Sequence, residues 1–267
     1  MPELAHVSAP RPRAAVGVRW RAATLNMLKG GGRRVLPAQV LRDTRADLLL
    51  LQEAAGFGDA ALRCVWQPVR SRPWGSAIQV AHGRLEPIAV SGFAGWVAGA
   101  RWETQAANGL GVFSVHVPHG EGGYASRMQH ILDAIERAAH RAGVREVVIG
   151  GDFNICIGAR RHGGAPLRSR ERALQTRLHD EFGLINVWDW LHPRCQPAQT
   201  LRWSGDASVP YHCDGLFVPR AWAASLCSCV VLSSQRWRER SDHNPVVATF
   251  APWPWRDGEQ CLTTKPM

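Results

Sequence analysis

Acidic, amide and imidazole side chains recur in this sequence at the ends of short apolar runs. The run that ends at Leu25 is followed by Asn26, and the leucines at 48–51 are followed by Gln52 and Glu53. An acid or amide beside buried apolar residues costs free energy unless it is solvated or paired. Because several separate runs share this pattern, we expect their ends to converge on one polar rim formed by Asn26, Glu53, His116, Asp152, Asn154, Asp214, Asp242 and His243.

Such a rim offers the donor types that phosphoryl chemistry requires. Mg²⁺ and Mn²⁺ take oxygen ligands, and Glu53 is the best candidate ligand, with Asn26 and Asp242 nearby. A bound ion would offset phosphate charge and stabilise the charge that builds on the transferred group. His243 and Asp214 fit a histidine–carboxylate pair that can act in acid–base chemistry near neutral pH.

Short strands with a few helices between them must position these residues. Amphipathic spacing predicts helices over Pro37–Arg45, Ala125–Arg141 and Ser169–Phe182. Strands are predicted at Val18–Leu25, Asp47–Gln52, Gly75–Ala81, Gly109–Val117, Glu146–Gly151, Cys213–Val218, Ser225–Leu232 and Pro245–Phe250. Strands outnumber helices and the two are interspersed, which favours sheets packed together with helices outside.

The chain of 267 residues carries a net charge of +10 and has a pI near 10.1. An excess of this size favours a polyanionic partner, with nucleic acid the expected one. Almost all of the basic residues are arginine, so the coding bias of a GC-rich genome is an alternative source of the charge. Charge alone therefore leaves the partner open.

Composition along the chain predicts one domain with a tail at each end. Residues 1–16 and 252–267 read as flexible tails, and residues 17–251 as a single domain. We see no signal peptide and no apolar stretch of the ~20 residues that a membrane span needs. The seven cysteines are scattered without metal-binding spacing, which is typical of a reducing compartment and predicts a cytoplasmic protein. No feature of the sequence points to an obligate protein partner.

Six segments, taken in order, resemble a known family. They are TLN (Thr24–Asn26), LLLQE (Leu49–Glu53), SVHVPHG (Ser114–Gly120), GGDFN (Gly150–Asn154), HCDGLFV (His212–Val218) and SDHNPV (Ser241–Val246). Together they resemble the endonuclease/exonuclease/phosphatase superfamily, whose DNase-I-like fold is shared by exonuclease III, apurinic endonucleases, DNase I, sphingomyelinases and inositol polyphosphate phosphatases. The resemblance spans about residues 18–250.

The resemblance implies both a fold and a reaction. The implied fold is a four-layer α/β sandwich, with two mixed β-sheets packed face to face and helices on the outer faces. The implied activity is a Mg²⁺- or Mn²⁺-dependent phosphodiesterase in which water attacks the phosphorus in line, most simply an endo- or exonuclease on DNA or RNA. The alternatives are a phospholipid, inositol phosphate or protein–DNA substrate, or an inactive binding module on this fold.

The resemblance also implies catalytic roles, residue by residue. Asp152 matches the aspartate that positions or deprotonates the attacking water, and Asn154 matches the asparagine that supports water and phosphate. His243 matches the histidine that contacts the scissile phosphate, and Asp214 the aspartate that orients it. His116 matches a position that binds phosphate or assists the leaving oxygen. Whether His243 or Asp152 activates the water stays open.

The implied metal site uses Glu53, Asn26 and Asp242, which match the metal-binding glutamate, the first-strand asparagine and a second metal-proximal carboxylate. Two positions depart from the family. Some members carry an aspartate where this chain has Leu28, so metal binding from that strand depends on Asn26 alone. Gly215 replaces an aromatic residue of the family next to Asp214, which matches the family's aspartate. We therefore expect the packing around Asp214 to differ from that of the family.

Two basic segments are candidates for substrate binding. The glycines of KGGGRR allow backbone N–H groups to approach an anion, and Lys29, Arg33 and Arg34 add charge next to Asn26. Trp237, among the arginines of Arg236–Arg240, could stack on a base while its neighbours grip a backbone. In both cases the alternative is a loop with solvated charges.

Overall fold

Twelve strands and five α-helices make up the part of the chain that the computed structural model describes, namely residues 19–30, 36–55, 62–104, 108–157, 168–193, 195, 197–202 and 211–251. The strands are β1 (Trp20–Asn26), β2 (Leu48–Ala54), β3 (Cys64–Pro68), β4 (Gly75–Val80), β5 (Arg84–Ile88), β6 (Val97–Glu103), β7 (Asn108–His116), β8 (Val147–Asp152), β9 (Leu184–Asn186), β10 (Asp214–Pro219), β11 (Leu226–Val231) and β12 (Val246–Phe250). The helices are α1 (Pro37–Thr44), α2 (Gly123–Arg141), α3 (Ser169–Asp180), α4 (Val187–Leu191) and α5 (Gln235–Arg238), with a 3₁₀ helix at Arg220–Ser225. Both predicted tails lie outside the described residues.

The strands form two six-stranded mixed sheets. Sheet 1 has the order β11-β12-β1-β2-β4-β3, and sheet 2 has the order β5-β6-β7-β8-β10-β9. Every predicted strand and helix is present, with ends that differ by a few residues. The sequence prediction missed β3, β5, β6 and β9.

Apolar side chains fill three interfaces, and these define the layers. Between the sheets, Trp20 stacks on Phe250 with ring centroids 4.4 Å apart, and both rings belong to the largest buried cluster. On the outer face of sheet 2, residues of α2 such as Ile131 and Leu132 cover β7 and β8. On the outer face of sheet 1, Val40 of α1 packs in a third cluster. The expected four-layer α/β sandwich is confirmed.

The topology brings the predicted rim to one edge. β1 and β2 are parallel, as are β7 and β8, so each pair ends at the same side. β10 runs antiparallel to β8 and therefore begins where β8 ends, with Asp214 opposite Asp152. His116 lies opposite Asp152 on the other side. β12 is antiparallel to β1, so the residues just before β12 join the same rim.

Two further features are properties of the described residues alone. Within the described residues, no helix combines the length and the apolar character needed to cross a membrane. The six cysteines in the described part of the chain are all free thiols.

Candidate active site

Asn26 links the two sheets at the rim. Its side-chain nitrogen Nδ2 donates to Asp152 Oδ2 at 3.0 Å and lies 3.5 Å from Glu53 Oε1. Its oxygen Oδ1 accepts the backbone N–H of Leu28 at 3.0 Å, which sets the orientation of the amide. The end of β1 therefore holds the carboxylates of β2 and β8 close to each other.

Glu53 is aimed into the rim by an unusual backbone conformation. Its φ is 49°, in the left-handed region that a residue other than glycine rarely adopts. The N–H of Lys29 donates to Glu53 Oε2 at 2.9 Å, and the N–H of Gly30 donates to the Glu53 carbonyl at 2.7 Å. The predicted anion-binding loop thus contributes a backbone donor to Glu53, while Arg33 and Arg34 lie outside the described residues.

His243 and Asp214 form a buried pair. Nδ1 of His243 donates to Asp214 Oδ2 at 2.9 Å and lies 3.1 Å from Oδ1, and both side chains are buried. Burial by itself would lower the pKa of His243, but the charges of Asp214 and Asp152 raise that pKa to about 10. Burial raises the pKa of Asp214, and the charge of His243 opposes this rise. In the absence of an ion, His243 is therefore an imidazolium at neutral pH.

The second ring nitrogen of His243 faces the other carboxylates. Nε2 lies 3.8 Å from Asp152 Oδ2 and 3.9 Å from Asp242 Oδ1. Both distances exceed a hydrogen bond, so this N–H is available to a ligand. The Asp242 side chain is 43% exposed, so the rim opens to solvent on that side.

His116 faces the same carboxylates from β7. Its Nε2 lies 3.7 Å from Glu53 Oε1 and 3.8 Å from Asp152 Oδ2. Its ring packs beside Trp74 and Trp96, at centroid distances of 6.1 and 5.3 Å. The buried Nδ1 has no hydrogen-bond partner within the described structure. The two tryptophans that position this ring carried no signal in the sequence.

The GGDFN segment requires its glycines and its asparagine for geometric reasons. A Cβ on Gly151 would lie 1.9 Å from the carbonyl oxygen of Val115, because β7 and β8 approach closely there. Asn154 has a φ of 50°; its backbone N–H donates to Asp152 Oδ1 at 2.9 Å and its Nδ2 donates to the Val117 carbonyl at 3.0 Å. Asn154 thus turns the chain and holds the Asp152 carboxylate.

A polar contact beneath the rim joins the two sheets. Gln52 Nε2 donates to Ser114 Oγ at 3.0 Å, and Ser114 Oγ donates to the Leu51 carbonyl at 2.8 Å. All three residues are buried. A buried hydrogen-bonded network of this kind fixes the relative position of its members, because breaking it would leave polar atoms unsatisfied. Gln52, beside Glu53 in the LLLQE segment, therefore has a structural role.

Thr200 and Ser241 support the histidine–carboxylate pair. Thr200 Oγ1 accepts the backbone N–H groups of Cys213 and Asp214, at 3.0 and 3.1 Å. Ser241 Oγ donates to the Asn26 carbonyl at 2.7 Å and accepts the N–H of His243 at 3.0 Å. Ser241 belongs to the SDHNPV segment, whereas no sequence signal pointed to Thr200.

The segment Gln199–Arg202 also holds the loop that carries His243. The guanidinium of Arg202 donates to Asn244 Oδ1 and to the Ser241 carbonyl. Asn244 donates from its backbone N–H to the Thr200 carbonyl at 2.7 Å and from Nδ2 to the Gln199 carbonyl at 2.9 Å. One short segment therefore positions both partners of the pair.

Trp237 does not occupy the position predicted for it. It is 5% exposed and packs in the cluster between α1 and sheet 1, so its ring is not available to a base. Arg236 and Arg240 both pair with Asp43, and Arg240 also covers the Trp237 ring at 4.9 Å. The predicted base-stacking role of Trp237 is wrong, because its apolar ring is needed in the core.

The departure at Gly215 has a packing explanation. A Cβ there would lie 2.5 Å from Cδ1 of Ile157. The Ile157 side chain, which is buried, therefore occupies the space that an aromatic residue would need. Asp214 keeps its place in β10 despite the substitution.

The tightest cluster of potential ligand atoms in the described residues fits a metal ion poorly. It comprises Asp152, Cys213, Asp214 and His243, whose ligand atoms lie within 4.8 Å of one another. Burial raises the pKa of the Cys213 thiol well above its ordinary value, so the thiolate form is disfavoured. The imidazolium of His243 already binds Asp214. This cluster is better explained as a proton-holding site.

The open side of the rim carries oxygen ligands of the type that a hard divalent ion takes. Glu53 Oε1 accepts only a weak, 3.5 Å contact from Asn26, and Asp242 carries a partly exposed carboxylate. Within the described residues, Glu53, Asp152 and Asp242 form ion pairs only with histidine. Asn26 Oδ1 keeps one lone pair beside its bond to Leu28. Oxygen ligands with excess negative charge are the set that Mg²⁺ and Mn²⁺ prefer.

Solved structures with the same fold include two endonucleases and a 3′ phosphatase. An AP endonuclease from Archaeoglobus fulgidus aligns with a TM-score of 0.66 at 17% identity, over 86% of this chain and 99% of that one. A Neisseria 3′ phosphatase, NExo, bound to a product DNA hairpin aligns with a TM-score of 0.64 at 20% identity, over 86% and 99%. The endonuclease domain of the telomere-specific non-LTR retrotransposon TRAS1 aligns with a TM-score of 0.61 at 17% identity, over 86% and 98%. At these identities the likeness establishes the fold.

Sequence comparison identifies the family. No curated protein matches the chain in sequence. The model of the Endonuclease/Exonuclease/phosphatase family matches residues 23–243, which extend from β1 to His243 and include every candidate site residue. The chain therefore belongs to the Endonuclease/Exonuclease/phosphatase family.

Proposed function

We propose that the protein is a divalent-metal-dependent phosphodiesterase that cleaves nucleic acid. The observation that carries the proposal is the rim itself, where the His243–Asp214 pair, Asp152 and Glu53 converge from both sheets. A structural role does not require so many buried acids in one place, because burying charged groups is costly. Clusters of this kind are characteristic of catalytic sites.

In this proposal, Glu53 holds Mg²⁺ or Mn²⁺ with help from Asp242 and the oxygen of Asn26. A bound ion supplies charge stabilisation to the phosphoryl group as negative charge shifts to the leaving oxygen. We choose these ligands because carboxylate and amide oxygens are the donors that hard divalent ions prefer. Lys29 contributes by holding Glu53 Oε2 through its backbone N–H.

His243 acts as a hydrogen-bond donor to the phosphoryl oxygens, and Asp152 accepts a proton from the attacking water. The carboxylates around His243, Asp214 first among them, raise the pKa of the ring, and a protonated ring is a poor base and a good hydrogen-bond donor. Asp152 is held in place for the second role, because Asn26 Nδ2 and the Asn154 N–H donate to its two oxygens. His116 lies close enough to both carboxylates to bind phosphate or assist the leaving oxygen.

Two observations support nucleic acid as the substrate. The net charge of +10 favours a polyanion. The Neisseria phosphatase with the same fold holds a DNA hairpin. The experiment tests DNA and RNA separately. It also distinguishes cleavage within a strand from cleavage at its end.

The test is a cleavage assay on the purified protein with Mg²⁺, Mn²⁺ or EDTA. Substrates are single-stranded, double-stranded and abasic DNA, RNA and bis-nitrophenyl phosphate. We expect metal-dependent cleavage of at least one nucleic acid, and a fall in kcat of about 10²–10⁴-fold in His243→Ala and in Asp152→Asn because both groups act on the transition state.

Circular dichroism would verify that both variants remain folded. Cleavage of the small ester alone would move the substrate to lipid, inositol or other phosphates. Near-normal turnover in both folded variants would contradict the catalytic assignment, and cleavage of nothing with any metal would favour a binding module.

A further inference from the structure

Two arginines that the proposed mechanism does not use lie at the exposed side of the rim. The backbone N–H of Arg202 donates to the Asp242 carbonyl at 2.9 Å, so Arg202 lies directly beside this acid. Arg238 is the last residue of α5, and the N–H of Ser241 donates to the carbonyl of Trp237 at 3.2 Å. The end of α5 therefore contacts the residue before Asp242, whose side chain is 43% exposed.

The guanidinium of Arg202 is held in one orientation without being neutralised. It donates to Asn244 Oδ1 and to the Ser241 carbonyl, and both acceptors are uncharged. These two bonds fix the plane of the group and leave further N–H groups for a ligand. Within the described residues, Arg202 forms no ion pair with an acid. Its charge is therefore positioned beside the rim and remains available.

Arg238 differs from the other arginines of its segment. Arg236 and Arg240 both pair with Asp43. The exposed side chain of Arg238 donates from Nε to the Ser233 carbonyl at 3.2 Å, and in the described part of the chain it forms no ion pair. The basic segment before β12 therefore presents one arginine whose charge no described acid offsets.

The charges of Arg202 and Arg238 act on each other. Burial lowers the pKa of Arg202, the charge of Arg238 lowers it further, and the charge of Asp242 only partly opposes them. Arg177 shows the opposite case, because its acidic partners outweigh burial and raise its pKa. Two like charges held near each other repel, and an anion bound between them would offset the repulsion. Phosphate oxygens match the planar donors of guanidinium groups.

We propose that Arg202 and Arg238 form a second phosphate site, which binds a phosphate next to the scissile one in a nucleic-acid strand. The inference rests on the proposed function for the identity of that strand. The two sites adjoin, because Arg202 lies beside Asp242 and Asp242 Oδ1 lies 3.9 Å from His243 Nε2. A substrate with a single phosphate would occupy the rim alone. The arginine pair would thus favour a strand over an isolated phosphodiester.

The test measures binding of a short fluorescein-labelled oligothymidylate to the full chain in EDTA, by fluorescence anisotropy at several salt concentrations. Arg238→Gln should weaken binding about tenfold and reduce the slope of log affinity against log salt by about 0.7, as for one single-strand phosphate contact. The matched control is Arg236→Gln, which removes the same charge from the same helix. Because Asp43 already offsets the charge of Arg236, this variant should bind like the wild-type protein.

A second variant tests whether the two arginines act on one phosphate. Arg202→Gln should also weaken binding, and the loss in the double variant should be smaller than the product of the separate losses. Thermal unfolding checks that Arg202→Gln remains folded, since Arg202 also holds the loop that carries His243. Arg238 is exposed, so its variant carries the test if Arg202→Gln does not fold.

The proposal also predicts an effect on substrate choice. In Arg238→Gln, kcat/KM should fall about tenfold for the strand that the protein cleaves and should stay within about twofold for bis-nitrophenyl phosphate, which has one phosphate. An equal fall for both substrates would place Arg238 in the reaction itself and overturn the proposal. Wild-type binding in Arg238→Gln, or an equal loss of binding in Arg236→Gln, would also overturn it.

Binding in EDTA separates this inference from the proposed function. If the wild-type protein cleaves no phosphoester but its binding depends on Arg238 and not on Arg236, the proposed function fails and the phosphate site stands. If it cleaves nucleic acid and both variants bind alike, the phosphate site fails and the proposed function stands.

Discussion

The His243 imidazole shows how a buried charge is maintained in this protein. Removing a charged ring from water is unfavourable, but Asp214 lies 2.9 Å from Nδ1 and Asp152 lies 3.8 Å from Nε2. The attraction of these two carboxylates outweighs burial and raises the pKa of His243 to about 10. The protonation state of the ring therefore depends on its partners.

Asp214→Asn should lower the pKa of His243. Without the largest attractive charge, burial would dominate, and the ring would lose its proton at a lower pH than in the wild-type protein. An NMR titration of the His243 ring in EDTA checks this. The wild-type ring should stay protonated through pH 8, and the variant ring should titrate well below that. The control is Asp180→Asn, which changes a surface acid that pairs with His179 away from the rim. If the His243 ring titrated identically in the wild-type protein and in Asp214→Asn, Asp214 would not be the source of the raised pKa.

At the scale of elements, the segment Gln199–Arg202 fastens the start of β10 to the loop before β12. Thr200 binds the backbone at Asp214, and Arg202 binds Ser241 and Asn244. The two partners of the histidine–carboxylate pair come from different sheets, so their separation depends on a connection of this kind. A site built on strand ends needs such supports because side-chain geometry must be held closely for catalysis.

Thr200→Val should lower both stability and turnover, whereas Thr200→Ser should retain most of each. Valine has nearly the same shape but leaves the N–H groups of Cys213 and Asp214 without an acceptor, at a cost of about 1–3 kcal/mol each. Thermal unfolding and kcat for the substrate found in the cleavage assay are the measurements. If valine and serine behave alike, the hydroxyl is not the important group.

At the scale of the whole molecule, the net charge of +10 contrasts with an acidic rim. Under the proposed function, only the phosphoryl group would need to enter the rim, and flanking phosphates would contact basic residues outside it. Long-range attraction of this kind is sequence-independent and is screened by salt.

Binding to nucleic acid should therefore weaken steeply as salt is added. With several phosphates neutralised, affinity should fall more than roughly tenfold between ~50 mM and ~200 mM salt. Fluorescence anisotropy of a labelled oligonucleotide in EDTA measures binding without cleavage. A flat dependence would indicate a small or weakly charged substrate.

Asp189 gives the molecule a dependence of stability on pH. Its pKa is raised from 3.8 unfolded to about 6 folded, so its contribution to stability is fully present below pH 3.8 and is lost as pH rises through 6. Relative to Asp189→Asn, the wild-type protein should lose on the order of 2 kcal/mol between about pH 4 and pH 7. Urea unfolding of both proteins across this range checks the difference. A constant difference would mean that the carboxyl does not titrate with folding.

The sequence by itself determined the strongly patterned elements and the identity of the rim residues. Long apolar runs such as Leu48–Leu51 and the helical stripe of α2 are buried on one face or both, so their periodicity is clear. β5 and β6 escaped prediction because β5 is an exposed edge strand that contains Pro87 and β6 is rich in small residues. The motifs predicted which side chains meet at the rim because acids and amides at strand ends are local features of the chain.

Only the tertiary structure decided which side chains outside those motifs meet. No feature of the sequence distinguishes Thr200, although its hydroxyl binds the backbone at Asp214. Trp237 lies among arginines in the sequence, which is typical of a surface aromatic residue, but α1 and sheet 1 enclose it. Contacts between distant segments follow from packing, and packing depends on the whole fold. For that reason the supports of the active site were not visible in the sequence.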